Sequence, residues 1–75
     1  MGYYITLFNL RTQEIAESGK ANKTLENARD LADGLLNNEL DSWKGDDVRL
    51  EVYDKPYSAG EEKGAELADV SFFTA

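Results

Sequence analysis

The chain has 75 residues with no cysteine and no histidine, and its formal net charge is −7 at pH 7. A single domain is expected, without disulfides and without thiolate or imidazole chemistry. Nucleic-acid binding depends on cations that replace phosphate counterions, so the acidic excess argues against direct binding to nucleic acid and to anionic membrane surfaces. A basic protein surface is the partner that electrostatics favours.

Residues 3–10 (YYITLFNL) are rich in aromatic and β-branched side chains, which predicts the first strand. Alternation divides its apolar side chains into two faces, with Tyr3, Ile5 and Leu7 on one and Tyr4, Phe8 and Leu10 on the other. Two apolar faces are typical of a central strand or of a subunit contact. Residues 9–13 are expected to form a hairpin connection, and residues 14–21 predict a weaker return strand with Ile15 pointing inward.

A helix is predicted to begin at Thr24, whose hydroxyl is a favourable N-cap, and Glu26 suits the positive end of the helix dipole. Apolar residues then recur at helical spacing, namely Leu25, Ala28, Leu31, Ala32, Leu35, Leu36, Leu40 and Trp43. This stripe fits a helix that lies on a sheet. Gly34 indicates either close approach of another segment or a bend. The predicted end is Lys44-Gly45, and an earlier stop near Asn37-Asn38 is the alternative.

Residues 47–53 (DVRLEVY) alternate between apolar and polar side chains, which predicts a strand with Val48, Leu50 and Val52 facing inward. Residues 54–66 contain the single proline and two glycines, so they are predicted to form a loop. Because this loop is long for a small domain, it is a candidate for function.

Residues 67–74 (LADVSFFT) predict the last strand, with Ala68, Val70 and Phe72 inward. The predicted fold is therefore α+β: a four-stranded antiparallel sheet with one amphipathic helix packed on one face, in ββαββ order, forming a single domain over residues 1–75. One helix covers only one face of a sheet. We therefore expect a homodimer contact or a partner surface on the uncovered face.

The first candidate site is a row of carboxylates along one side of the predicted helix. It consists of Glu26, Asp30, Asp33 and Asp41. At about 100° per residue these side chains fall within a sector of about 80°, and Asn37 occupies the only gap. Such a row imitates a nucleic-acid backbone, more sparsely than the one charge per about 1.7 Å of duplex DNA. Arg29 is expected to neutralise part of it beside Asp33. The alternative is an ordinary solvated helix face.

The second candidate site lies in the predicted loop, where Tyr57, Glu61 and Glu62 stand between Pro56 and Gly64. A tyrosine on an exposed loop is a frequent hot spot of protein interfaces. The alternative is a tether whose tyrosine covers an edge of the core.

Metal binding and catalysis are less favoured. Four acidic residues surround Gly45, namely Glu39, Asp41, Asp46 and Asp47. Although hard cations prefer such oxygen ligands, a calcium loop starting at Asp41 would place Trp43 where a ligand belongs. The serines have no histidine to activate them, and so short a chain hardly encloses a pocket of about 300 Å³. We therefore predict no metal, no cofactor and no enzymatic activity.

These features predict a small, acidic, non-enzymatic binding protein that presents carboxylates and exposed tyrosine to a basic protein partner. Nucleic-acid mimics of phages and mobile elements, which inhibit host defence or DNA-binding enzymes, share this size and charge. The alternative is a structural or dimerisation module whose acidity only maintains solubility. A cytoplasmic location is expected, because no apolar run approaches about 18 residues and the start lacks a signal-peptide pattern.

Overall fold

The computed structural model describes residues 2–54 and 67–75 and confirms the predicted α+β fold. The elements in chain order are β1 (Tyr4–Asn9), β2 (Ile15–Glu17), α1 (Leu25–Asn38), a 3₁₀ turn (Asp41–Trp43), β3 (Asp47–Tyr53) and β4 (Leu67–Thr74). The strands form one antiparallel sheet in the order β2-β1-β3-β4. α1 packs over the two central strands, β1 and β3, so the core lies between helix and sheet.

β1 is a central strand, as its two apolar faces predict. Ile5 and Leu7 are buried against the helix layer, and Tyr3, just before the strand, packs against the same core. Thr6 is also buried, although it lies on the other face of the sheet. β1 is therefore flanked by a strand on each side and covered by α1 on one face, while Tyr4 and Phe8 on the other face are half-buried.

The predicted inward position of Ile15 is wrong. β2 is shorter than predicted, and its register places Ile15 opposite Phe8 and Ala16 opposite Leu7. Cross-strand partners share a face, so Ala16 points to the core and Ile15 to the side without a helix. The hairpin turn sets this register, with Gln13 in the left-handed region at φ 66°.

α1 begins as predicted, because the Thr24 hydroxyl accepts a hydrogen bond from the amide of Asn27 at 3.0 Å. The predicted apolar stripe faces the sheet, with Ala28 and Ala32 buried and its leucines partly buried against the core. The Cβ that an alanine would add at Gly34 meets no described atom within 4 Å, so no described segment approaches it closely.

α1 ends at Asn38, which is the earlier of the two predicted stops. The side-chain amide of Asn38 donates to the carbonyl of Gly34 at 2.9 Å, and side chains of this kind compete with helical backbone bonding. The following 3₁₀ turn directs Trp43 into the core, where it is 2% exposed. Gly45 then reverses the chain at φ 88°.

β3 has the predicted bounds, and Val48, Leu50 and Val52 are buried as predicted. All three lie on the helix side of the sheet, because cross-strand partners share a face. Their partners on β1 are Asn9, Leu7 and Ile5.

β4 also has the predicted bounds, but its predicted faces are wrong. Phe73 packs against the core, whereas Val70 and Phe72 point away from the helix and are exposed. Ala68 is exposed as well, next to a register shift at Val52/Tyr53. A slip of one residue exchanges the two faces of a strand, and the Phe72-Phe73 pair offers an aromatic ring to either face.

Candidate partner-binding surfaces

Three of the four carboxylates predicted to form a row lie on the exposed side of α1. Glu26, Asp30 and Asp33 are all exposed, and so is Asn37 one turn further on. Residues three or four apart share a helix face, so these side chains form one side of α1. The buried side, with Ala28 and Ala32, lies opposite them.

Asp41 does not continue this helix, since α1 has already ended at Asn38. The 3₁₀ turn nevertheless keeps it near the end of the row. Asp33, Asn37 and Asp41 line one groove of about 260 Å³, together with Lys44. The structure therefore brings Asp41 and Asp33 together around a shared groove, and it adds a cation that the sequence pattern does not indicate.

Arg29 turns away from the row of carboxylates. Its guanidinium Nη2 lies 2.5 Å from Oδ2 of Asp69 on β4, in an ion pair and hydrogen bond between helix and sheet. The positive charge expected to neutralise part of the row beside Asp33 is thus engaged at the sheet.

The predicted loop site, Tyr57, Glu61 and Glu62, lies outside the described residues. Its role in partner binding remains a prediction. Tyr53 is the last residue of β3, and its hydroxyl donates to Oε1 of Glu51 at 2.5 Å.

The acidic residues before β3 are occupied by protein contacts. Asp46 accepts hydrogen bonds from the Arg11 guanidinium, at 2.6 and 3.0 Å, and from the Asn9 amide at 3.0 Å. The hydrogen bond from Arg11, which has the largest effect, and the one from Asn9 hold the pKa of Asp46 below its usual range. Asp47 accepts from the Thr74 hydroxyl at 2.9 Å. Within residues 2–54 and 67–75, no three acidic side chains form a group that could hold a metal ion.

The side of the sheet opposite α1, called here the open face, carries an apolar row across all four strands. The register places Ile15, Phe8, Arg49 and Phe72 side by side in this row. The guanidinium carbon of Arg49 lies 4.4 Å from the centroid of the Phe8 ring, a cation–π contact. This interaction places the aliphatic stem of Arg49 within an apolar strip.

A second row on the open face is mixed in character. It contains Glu17, Thr6, Glu51 and Val70 in register. Nε of Arg49 lies 3.1 Å from Oε2 of Glu51, close enough for an ion pair. This buried Nε nevertheless has no hydrogen-bond partner among the described residues, so its contact with Glu51 is Coulombic.

The open face exposes several large apolar side chains. Phe72 is 66% exposed, Leu67 51%, Ile15 46% and Val70 42%. Clustered apolar exposure of this kind marks interaction surfaces more often than single exposed residues do. Sequence reasoning missed the β4 contribution because it assigned Phe72 to the core. The Phe72-Phe73 pair was the available signal, since alternation forces one of these rings onto each face.

Comparisons with known proteins give no further identification. No protein family model matches the chain, and neither curated proteins nor solved structures show significant similarity to it. Across residues 2–54 and 67–75, the structure contains no helix with both the length and the apolar character needed to cross a bilayer.

Proposed function

We propose that this chain is a non-enzymatic binding protein whose α1 carboxylates contact a basic surface of a protein partner. One observation carries the proposal: Glu26, Asp30 and Asp33 are exposed along one side of α1 while Arg29 is engaged by Asp69. The three carboxylates keep their negative field because their nearest helical cation is held at the sheet. Asp41 lies beyond the end of α1, in the groove that it shares with Asp33 and Lys44.

The spacing of these carboxylates suits a row of cations on the partner. At a rise of about 1.5 Å per residue, Glu26 and Asp30 are about 6 Å apart along the axis, and Asp30 and Asp33 about 4.5 Å. The net charge of −7 adds long-range attraction to a basic partner and accelerates the encounter.

The partner class that fits best is a protein with a basic groove for nucleic acid. A rigid acidic helix in that groove would compete with phosphates, so the chain would act as an inhibitor of the nucleic-acid-mimic type found in phages and mobile elements. A cytoplasmic location belongs to the same proposal, because such targets are most abundant there. This finer assignment rests on charge and size.

The test uses two variants with matched loss of charge. Asp30→Asn/Asp33→Asn removes two carboxylates from the row, and Glu14→Gln/Glu39→Gln removes two exposed carboxylates elsewhere. A partner captured by the immobilised wild-type chain is identified, purified and titrated with all three proteins at low and high salt. We expect the row variant to lose at least about tenfold in affinity and much of the salt dependence, and the control to change far less.

Folding is measured in parallel so that the two effects stay separate. Because both aspartates are exposed, the row variant should change the free energy of unfolding by no more than about 0.5 kcal/mol per site. Equal affinities for the row variant, the control and the wild type would reject the helix row as the binding surface.

A further inference from the structure

We propose that the open face is the contact between two copies of this chain, which meet sheet to sheet about a twofold axis parallel to the strands. The inference goes beyond the proposed function, because the open face and the α1 carboxylates lie on opposite sides of the sheet. It starts from the exposed Phe72, Ile15 and Val70, which α1 cannot cover.

The open face has a projection at one side and a groove at the other. Phe72 projects from β4 with 66% of its surface exposed. The groove, about 430 Å³, lies toward β2 and is lined by Phe8, Leu10, Ile15 and Arg49, among others. In the strand order β2-β1-β3-β4, the midline of the sheet runs between β1 and β3.

A twofold axis along this midline exchanges the two sides of the face. It places β4 of each copy against β2 of the other, so that each Phe72 meets the partner's groove beside Ile15. Both contacts form at once, as an isologous interface requires. The same rotation sets Arg49 of each copy against Phe8 of the other, because they occupy adjacent positions on either side of the axis.

Charge favours a second copy as the occupant of this face. In its two central rows Arg49 offsets one of the carboxylates of Glu17 and Glu51, whereas Asp47 lies toward one end of the face and Glu14 lines the groove, on a chain whose net charge is −7. Two strongly acidic molecules approach most readily through such a surface. In the dimer the layers follow the order helix, sheet, sheet, helix, with about 10 Å between neighbouring layers. The two helices would therefore lie roughly 30 Å apart, beyond the Debye length of about 8 Å at physiological ionic strength. A basic partner would gain more electrostatic attraction from the carboxylates of α1 than from the open face.

The size of the face fits a small dimer interface. The four strands, which are about 4.8 Å apart and range from three residues in β2 to eight in β4, span roughly 380 Å² in projection. Side chains that project from this plane raise the buried area of two copies to about 1,000 Å² or more, the lower range for a specific interface. We therefore expect a dimer that dissociates on dilution.

Sedimentation analysis tests the contact directly. From micromolar to millimolar concentration, the mass of the wild type should rise from that of the 8.4 kDa chain to about twice that value. Phe72→Glu should weaken dimerisation by about 30-fold or more, as loss of an interface hot spot does. Asn37→Glu adds the same charge on exposed α1 and should leave dimerisation unchanged. Circular dichroism should show both variants folded, since both positions are exposed.

A mixing experiment tests the predicted placement. Ile15→Lys alone should also be monomeric, because it puts a charge in the groove. An equimolar mixture of Ile15→Lys and Phe72→Glu should form a heterodimer, in which one contact pairs lysine with glutamate and the other keeps the native pair. A wild type that stays monomeric at millimolar concentration, or a dimeric Phe72→Glu, would overturn the proposal. Failure of the mixture to associate would overturn this arrangement.

Discussion

Asn9 and Asp46 join the turn after β1 to the segment before β3. Oδ1 of Asn9 accepts from the amides of Arg11 and Thr12, at 2.9 and 3.0 Å, while its Nδ2 donates to Asp46 at 3.0 Å. The Asn9 residue is 1% exposed, and the Asp46 side chain 11%. The hydrogen bonds from Arg11 and Asn9 favour the ionised form of this carboxylate more than its partial burial opposes it, so folding and ionisation of Asp46 are coupled.

This coupling predicts a specific acid sensitivity. The pKa of Asp46 is lower in the folded chain than in the unfolded one, where a value of about 3.9 is expected. Its contribution to stability is therefore fully present above that value and is lost as pH falls through the folded pKa. Urea unfolding between pH 7 and pH 2 should show a smaller acid-side loss for Asp46→Asn than for the wild type.

The control for this experiment is Asp30→Asn, which removes an exposed carboxylate from α1 and leaves the contacts of Asp46 in place. It should retain the acid-side loss that Asp46 causes. If the free energy of unfolding fell with pH in parallel for Asp46→Asn and the wild type, Arg11 and Asn9 would not stabilise the folded carboxylate.

At the scale of elements, α1 contains a glycine that lowers the stability of the helix. Gly34 lies within the helix, where glycine is less favourable than alanine because its unfolded backbone has more freedom. An added Cβ would meet no described atom within 4 Å. Gly45 differs, because its φ of 88° is a conformation that residues with a side chain rarely adopt.

We therefore predict opposite effects for two glycine substitutions. Gly34→Ala should raise the free energy of unfolding by about 0.5–1 kcal/mol, and Gly45→Ala should lower it by about 1 kcal/mol or more. Chemical denaturation of both variants with the wild type measures this difference. A destabilised Gly34→Ala would indicate that this position packs closely against another surface.

At the scale of the whole molecule, the sheet separates two surfaces of different chemistry. The α1 side presents carboxylates, and the open face presents Phe72, Ile15 and Val70 together with Arg49. Since the exposed residues of the two surfaces lie on opposite sides of the core, a substitution at one surface need not disturb the other. The two proposed interactions can therefore be tested with separate variants.

We also predict that divalent cations do not control folding. Asp46 is held by Arg11 and Asn9, and Asp47 accepts a hydrogen bond from Thr74. A cation would have to displace these partners before it gained its oxygen ligands. The melting temperature should thus be the same with millimolar Ca²⁺, with Mg²⁺ and with chelator. A large increase with either ion that disappears in Asp46→Asn/Asp47→Asn would contradict this prediction.

Local patterns in the sequence determined which segments form which elements. The alternation of Val48, Leu50 and Val52 predicted β3 and its buried face, because side chains of a strand alternate regardless of distant contacts. The Thr24 cap and the apolar stripe predicted the start and the buried side of α1 for an equally local reason. The acidic row from Glu26 to Asp33 followed from this helix.

Tertiary structure alone decided the register of β2 and β4. Ile15 and Phe72 could occupy either face of their strands, because a slip of one residue costs little locally and reverses the whole strand. Pairing of Ile15 with Phe8 and of Phe72 with Arg49 placed both side chains on the open face, and the Arg29–Asp69 ion pair joins the helix to the opposite side of β4. The open face depends on these long-range pairings, which no local pattern contains.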